Sequence, residues 1–181
     1  MAQRNKLKFI ILGLLSEKEL TGYDITKAFD SDIGEFWSAN HSQIYPLLKR
    51  LEDDQLISHR LTITGEKLEK KVYSITDQGA KELNQWIGEP TPALSATKDE
   101  FILKLYFIRK NNDPRLAPML TEQLNLHKNK LIHLQQQMEK KFHNQSDKNN
   151  FGHFLILQHA IQRENGYTNW LIETIQGLKS K

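Results

Sequence analysis

Two adjacent runs, Leu56 to Thr64 and Leu68 to Ile75, interrupt a sequence whose apolar spacing is otherwise helical. Within them the period switches to two, and Thr64-Gly65-Glu66-Lys67 supplies the turn, so a β-hairpin is expected. Helical spacing precedes the hairpin three times. From Lys6 to Leu15, Leu7, Ile10, Ile11, Leu14 and Leu15 share one face. Thr21 is placed to cap a short helix running to about Phe29, with Ile25, Ala28 and Phe29 inward. Asp30 to Asn40 is a polar connector. In a third helix over 41–54, Ile44, Leu47, Leu48 and Leu51 point inward, and Pro46 falls in the first turn, where its missing N–H breaks no helical bond. After the hairpin, Thr76 caps a fourth helix, from Asp77 to about Gly88, with Leu83, Trp86 and Ile87 expected on its inner face.

Helix, helix, helix, hairpin, helix is the order of a winged helix-turn-helix. A B-DNA major groove accepts one α-helix, and residues near that helix's N-terminus reach the base edges. The third helix exposes Ser42, Gln43, Tyr45, Lys49 and Arg50 opposite its apolar stripe. Gln43 can pair bidentately with adenine, and His41, Ser42 and Tyr45 can reach bases or phosphates. Lys49 and Arg50 suit phosphates, and Lys67 at the hairpin tip suits a phosphate or a minor groove.

The global charge lends little support. The 181 residues carry +3, but residues 1–89 hold 12 Lys/Arg against 14 Asp/Glu, and residues 90–181 hold 13 against 8. A DNA-binding half with net charge −2 needs its cations placed locally.

The second half is expected to be helical. Glu89-Pro90-Thr91-Pro92 ends the fourth helix and begins a stiff linker over 90–96. Thr97-Lys98-Asp99-Glu100 has the capping-box pattern, opening a helix through Phe101, Leu105 and Ile108, and Asn111 to Pro114 breaks it. A long helix follows from about Arg115 to Phe142, with Leu124, His127, Leu131, Leu134 and Met138 spaced as a heptad seam. A last helix runs from Phe151 to about Leu178, with Phe154, Leu157, Ile161, Trp170, Leu171 and Ile175 apolar. Two long amphipathic helices without a sheet to cover them need a mate, and a second copy gives a two-fold dimer. The expected architecture is mainly α with a small β-hairpin: a winged helix-turn-helix over 1–89, the linker, and a helical dimerisation and effector-binding domain over 97–181.

Several classes are excluded. With no cysteine, disulfide scaffolds and thiol chemistry are absent. Seven histidines include no metalloprotease spacing, and no nucleophile elbow or Gly-rich oxyanion turn accompanies His41-Ser42 or His153, so neither metal, cofactor nor enzyme activity is expected. The apolar run Phe9 to Leu15 is too short to span a bilayer and lacks a signal-peptide cleavage site. A cytoplasmic location with no membrane partner is expected.

Thr21-Gly22-Tyr23-Asp24-Ile25, Phe36-Trp37-Ser38 with His41-Ser42-Gln43-Ile44-Tyr45-Pro46, Leu48-Lys49-Arg50-Leu51, Leu68-Glu69-Lys70-Lys71 and Thr76-Asp77-Gln78-Gly79 together resemble the PadR family of bacterial repressors. Lys98 to Lys104 and Phe151-Gly152-His153-Phe154-Leu155 extend the likeness to members with a long helical C-terminal part. The resemblance implies a homodimer on an inverted-repeat operator, repressing a phenolic acid decarboxylase gene and released by hydroxycinnamic acids such as p-coumarate. It places DNA contacts on Ser38, His41, Ser42, Gln43, Tyr45 and Lys67. A phenolic acid needs an apolar slot, a partner for its carboxylate and one for its phenol. Tyr23, Asp99, Lys104, Phe107, Phe151 and His153 are the candidates, in a pocket expected to touch both domains. A regulator of the same family that senses another ligand is the alternative.

Overall fold

The computed structural model describes residues 2–30, 33–35, 37, 41–64, 68–91, 99–142 and 150–179. The chain divides into two units, Met1–Leu94 and Ser95–Lys181.

In the N-terminal unit, α1 spans Ala2–Glu17, α2 Gly22–Phe29, α3 Ile44–Asp53 and α4 Asp77–Gly88, with strands β2 (Ile57–Thr64) and β3 (Leu68–Ile75) between α3 and α4. The hairpin register runs from Ile57 opposite Ile75 to Thr64 opposite Leu68. A two-residue strand, β1 (Leu20–Thr21), pairs antiparallel with the free side of β3, giving a three-stranded sheet in the order β1-β3-β2. The sequence carries no alternation long enough to announce β1; it exists because β3 offers it an edge. The core joins Ile11, Leu12 and Leu15 of α1 to Ile25 of α2, and to Ile44, Leu48 and Leu51 of α3. The stripe on α3 is the one its spacing calls for. The helix itself starts three residues later than expected, because His41–Gln43 form a 3-10 turn.

Local chemistry explains two of the sequence motifs. Thr21 caps α2 by accepting the Asp24 N–H at 3.2 Å, while the Asp24 carboxylate accepts the Thr21 N–H at 3.1 Å. The Thr21 hydroxyl, donating at 2.6 Å, is the main reason the Asp24 carboxyl lies below its usual range. Thr76 caps α4 by accepting the Gly79 N–H at 3.1 Å and donates its own hydroxyl to the Gln55 carbonyl at 2.7 Å. Gln55 adopts φ 60, a left-handed turn that ends α3 and starts β2. On α4 the expectation fails for Ile87, which is 65% exposed. Leu83 is buried, and Trp86 stays half-covered by stacking on Phe9 at 4.4 Å.

The C-terminal unit holds α5 (Glu100–Tyr106), α6 (Leu116–Phe142) and α7 (Phe151–Lys179). Asp99, rather than Thr97, occupies the N-cap of α5, its carboxylate accepting from Phe101 N at 2.9 Å and Ile102 N at 3.2 Å. Thr97 lies outside the described residues. The expected heptad seam packs α6 on α7 around two buried clusters. One holds Leu120 and Leu171 with Phe101 of α5, and the other holds Leu134, Phe142 and Leu157. Between them sits a polar bridge: His127 Nδ1 and Glu164 Oε2 are 2.5 Å apart, and the Tyr167 ring stacks on His127 at 3.9 Å. Glu164 is only 6% exposed. A buried carboxylate needs such a partner, since leaving it alone in an apolar seam costs several kcal/mol, on the order of 3–5.

The Tyr167 hydroxyl donates to Asp99 at 3.3 Å. Burial first, then the Asp99 carboxylate, pushes its ionisation up from 10.0 to about 12. A pKa raised in the folded state means the native unit holds this proton more tightly than the unfolded chain. The associated stability is therefore complete below pH 10 and is lost as pH rises through about 12. An alkaline titration followed at the phenolate absorbance should find one of the five tyrosines ionising last, and Tyr167→Phe should remove that step. A last step that survives the substitution would refute the assignment. No helix among the described residues is long and apolar enough to cross a membrane.

Candidate nucleic-acid interface

The outer face of α3 and the turn before it present the groups that sequence reasoning singled out. Ser42, Gln43, Tyr45, Lys49 and Arg50 are all exposed, Tyr45 at 58%. Gln43 stands at the N-cap of α3 and makes no side-chain capping bond. Ser, Thr, Asp or Asn would stabilise the helix end better at that position. Its amide is instead directed outward with donor and acceptor both available for a base edge. Behind the helix, Gly22 explains part of the Thr21-Gly22-Tyr23 motif. A Cβ there would stand 2.7 Å from the Tyr45 ring, so only glycine lets the ring lie against α2.

Ion pairing leaves the net charge of this unit unchanged but decides which cations stand beside a carboxylate. Arg60 on β2 binds Glu19 at 2.6 Å, and Ser74 on β3 donates to the same carboxylate at 3.0 Å. The Arg60 hydrogen bond is the main reason Glu19 titrates below its usual range. Glu52 pairs with His59 and lies 3.6 Å from Lys71, and Lys8 pairs with Glu82. These acids neutralise cations at the base of the hairpin and on the α1–α4 side. Lys49 and Arg50 form no ion pair among the described residues. Glu52 stands in the last turn of α3 and is engaged toward the hairpin, while Lys49 and Arg50 keep their charge on the outer face of the helix.

The remaining assignments divide. His41 lies in the 3-10 turn that precedes α3, while Ser38 and Lys67 lie outside the described residues. Tyr23, offered as an effector contact, is 68% exposed in the first turn of α2. In the C-terminal unit, Asp99 is engaged as a helix cap and by Tyr167. Lys104 binds Glu100 at 2.6 Å, and Phe107 lines a shallow cleft with Lys104, Ile108, Arg115 and Met119. Phe151 stacks on Phe154, and the His153 ring meets Phe142 edge-on at 5.6 Å. Tyr167, which holds Asp99, follows His153 by 14 residues on α7, about 21 Å at 1.5 Å per residue. Within one protomer, then, Asp99 and Lys104 do not meet Phe151 and His153. The polar bridge through Glu164 went unforeseen, because His127 reads as one more seam position and no spacing rule links it to a residue 37 positions away.

Comparison with known proteins finds relatives over most of the chain. Residues 11–85 match the family model described as the transcriptional regulator PadR-like family, and residues 97–179 match one described as the virulence activator alpha C-terminal region. The negative transcriptional regulator PadR of Bacillus subtilis is 45% identical over 169 residues, covering 91% of this chain and 93% of that protein. The structure of B. subtilis PadR in complex with operator DNA superposes with a TM-score of 0.86 at 45% identity, covering 95% of this chain and 98% of that one. The same protein in complex with p-coumaric acid gives 0.82 at 41% identity, covering 96% and 98%.

Proposed function

This chain belongs to the PadR-like family of transcriptional regulators, and from that premise we propose that it is a dimeric repressor of operator DNA released by a phenolic acid. The observation that carries the DNA reading is the outer face of α3, where an uncapping Gln43 sits beside Lys49 and Arg50. Gln43 reads a base edge, Ser42, His41 and Tyr45 contact bases or phosphates, and Lys49 and Arg50 hold the backbone. Ser38 and the hairpin-tip Lys67 complete the contact set. Two copies paired through their helical units place two such faces on one side of the duplex, so the operator is an inverted repeat. Leu126, Ile132, Leu155 and Trp170, all exposed on α6 and α7, supply apolar area for that pairing.

For the effector, the support is the B. subtilis relative in complex with p-coumaric acid. Asp99, Lys104 and Phe107 offer carboxylate, cation and ring at one end of the helical unit, and Phe151 with His153 offer rings and an imidazole at the other. A single pocket using both sets requires two protomers, with the start of α7 in one beside α5 of the other. The gene controlled, on this reading, encodes a phenolic acid decarboxylase. The pure protein should enrich inverted-repeat sequences from a pool of random duplexes, and p-coumarate should release the enriched duplex. Absence of enrichment overturns the DNA reading. Unchanged operator affinity at millimolar p-coumarate, with release by another aromatic acid in the same assay, overturns the choice of ligand.

A further inference from the structure

We infer that Lys6, on the first turns of α1, is a phosphate contact of the same interface, so that α1 and α3 together straddle one edge of the major groove. The inference rests on the DNA reading of α3. Leu7 lines a surface cleft together with Ser42, Gln43, Pro46, Leu47 and Arg50, which sets the start of α1 against the Gln43–Arg50 edge of α3. A helix lying in a groove about 12 Å wide has a phosphate strand along each edge, and whatever packs beside its N-terminal half faces that strand. Lys6 is exposed there, and its ammonium stands 5.5 Å over the ring of Trp37, which packs against the core. That contact holds the charge in place without neutralising it.

The neighbouring lysine is treated differently. Lys8, two positions on and so on another face of α1, pairs with Glu82 of α4. Lys6 forms no ion pair among the described residues, as with Lys49 and Arg50. Lys18, Lys70 and Lys81 of the same unit also form no ion pair among the described residues, so what marks Lys6 is its place beside the Gln43–Arg50 edge of α3. An unneutralised ammonium at that edge suits a phosphate contact, and it gives Lys6 a role that neither its spacing nor the sequence motifs announced.

The test uses the full-length protein and the duplex enriched by selection, with affinity measured across a range of salt. Each phosphate contact contributes about 0.9 to the slope of log affinity against log salt. Lys6→Met keeps most of the alkyl stem over Trp37 and removes the charge. In a two-fold dimer it should flatten the slope by about 1.8 and weaken binding roughly 10-fold at moderate salt, with an unchanged thermal midpoint. Lys6→Arg should restore the wild-type slope. A wild-type slope in Lys6→Met overturns the inference while the DNA reading stands. So does a loss of affinity that tracks a lowered thermal midpoint with the slope intact, since Lys6 then acts only by packing. A wild-type protein that binds no duplex removes the DNA reading itself, and Lys6 with it.

Discussion

Gly79→Ala should destabilise the N-terminal unit by about 3 kcal/mol or more, enough to leave little folded protein at physiological temperature. A Cβ at position 79 would stand 2.1 Å from the Leu56 carbonyl oxygen and 2.9 Å from Ile75 Cγ1. Neither neighbour can yield cheaply. The Leu56 carbonyl accepts the Thr76 N–H at 3.1 Å, and Thr76 in turn caps α4 and grips the Gln55 turn. Moving it would undo the junction of α3, β2 and α4 together. Gly88 lies at the end of the same helix with nothing within 4 Å of its own Cβ position. Gly88→Ala should therefore be neutral or stabilising, by up to ~1 kcal/mol. Thermal unfolding of the two variants checks this pair, and comparable midpoints for both would show that the close approach is not what fixes glycine at 79.

Removing both Lys49 and Arg50 should have the largest effect on DNA. The double Lys49→Ala, Arg50→Ala variant loses up to four phosphate contacts in a two-fold dimer. Its salt slope should flatten by about 3.6, and its affinity for the selected duplex should fall roughly 100-fold or more at moderate salt. Stability should change little, because both side chains are exposed and hold no ion pair among the described residues. Gln43→Ala should behave differently, relaxing base preference at one position per half-site with the slope retained. If the double variant keeps the wild-type slope, α3 does not lie against the phosphate backbone and the interface is elsewhere.

The two halves of the protein were unequally legible. On α3, Ile44, Leu47, Leu48 and Leu51 recur at helical spacing, so burying that stripe necessarily turns Gln43, Tyr45, Lys49 and Arg50 outward. The hairpin, the Thr21 and Thr76 caps and the two long helices are local in the same sense. Each is encoded by residues within a few positions of one another. Thr97 was misplaced as a cap because Asp99, two residues later, competes for the same role with a carboxylate that reaches two N–H groups at once. Ile87 was misread because helical spacing alone cannot say where the neighbouring elements stop.

The sequence by itself therefore determined which elements form, which face of each is apolar, and which side chains stand on the outer face of α3. Only the tertiary structure decided which of the cations stand beside a carboxylate. Arg60 meets Glu19 across 41 positions and Lys8 meets Glu82 across 74, whereas Lys6, Lys49 and Arg50 meet no carboxylate among the described residues. It also decided that β1 exists and that Glu164 has a partner. Secondary structure depends on periods of two to four residues, but a charge is neutralised by whatever the fold brings within about 4 Å of it, and sequence separation carries no record of that distance.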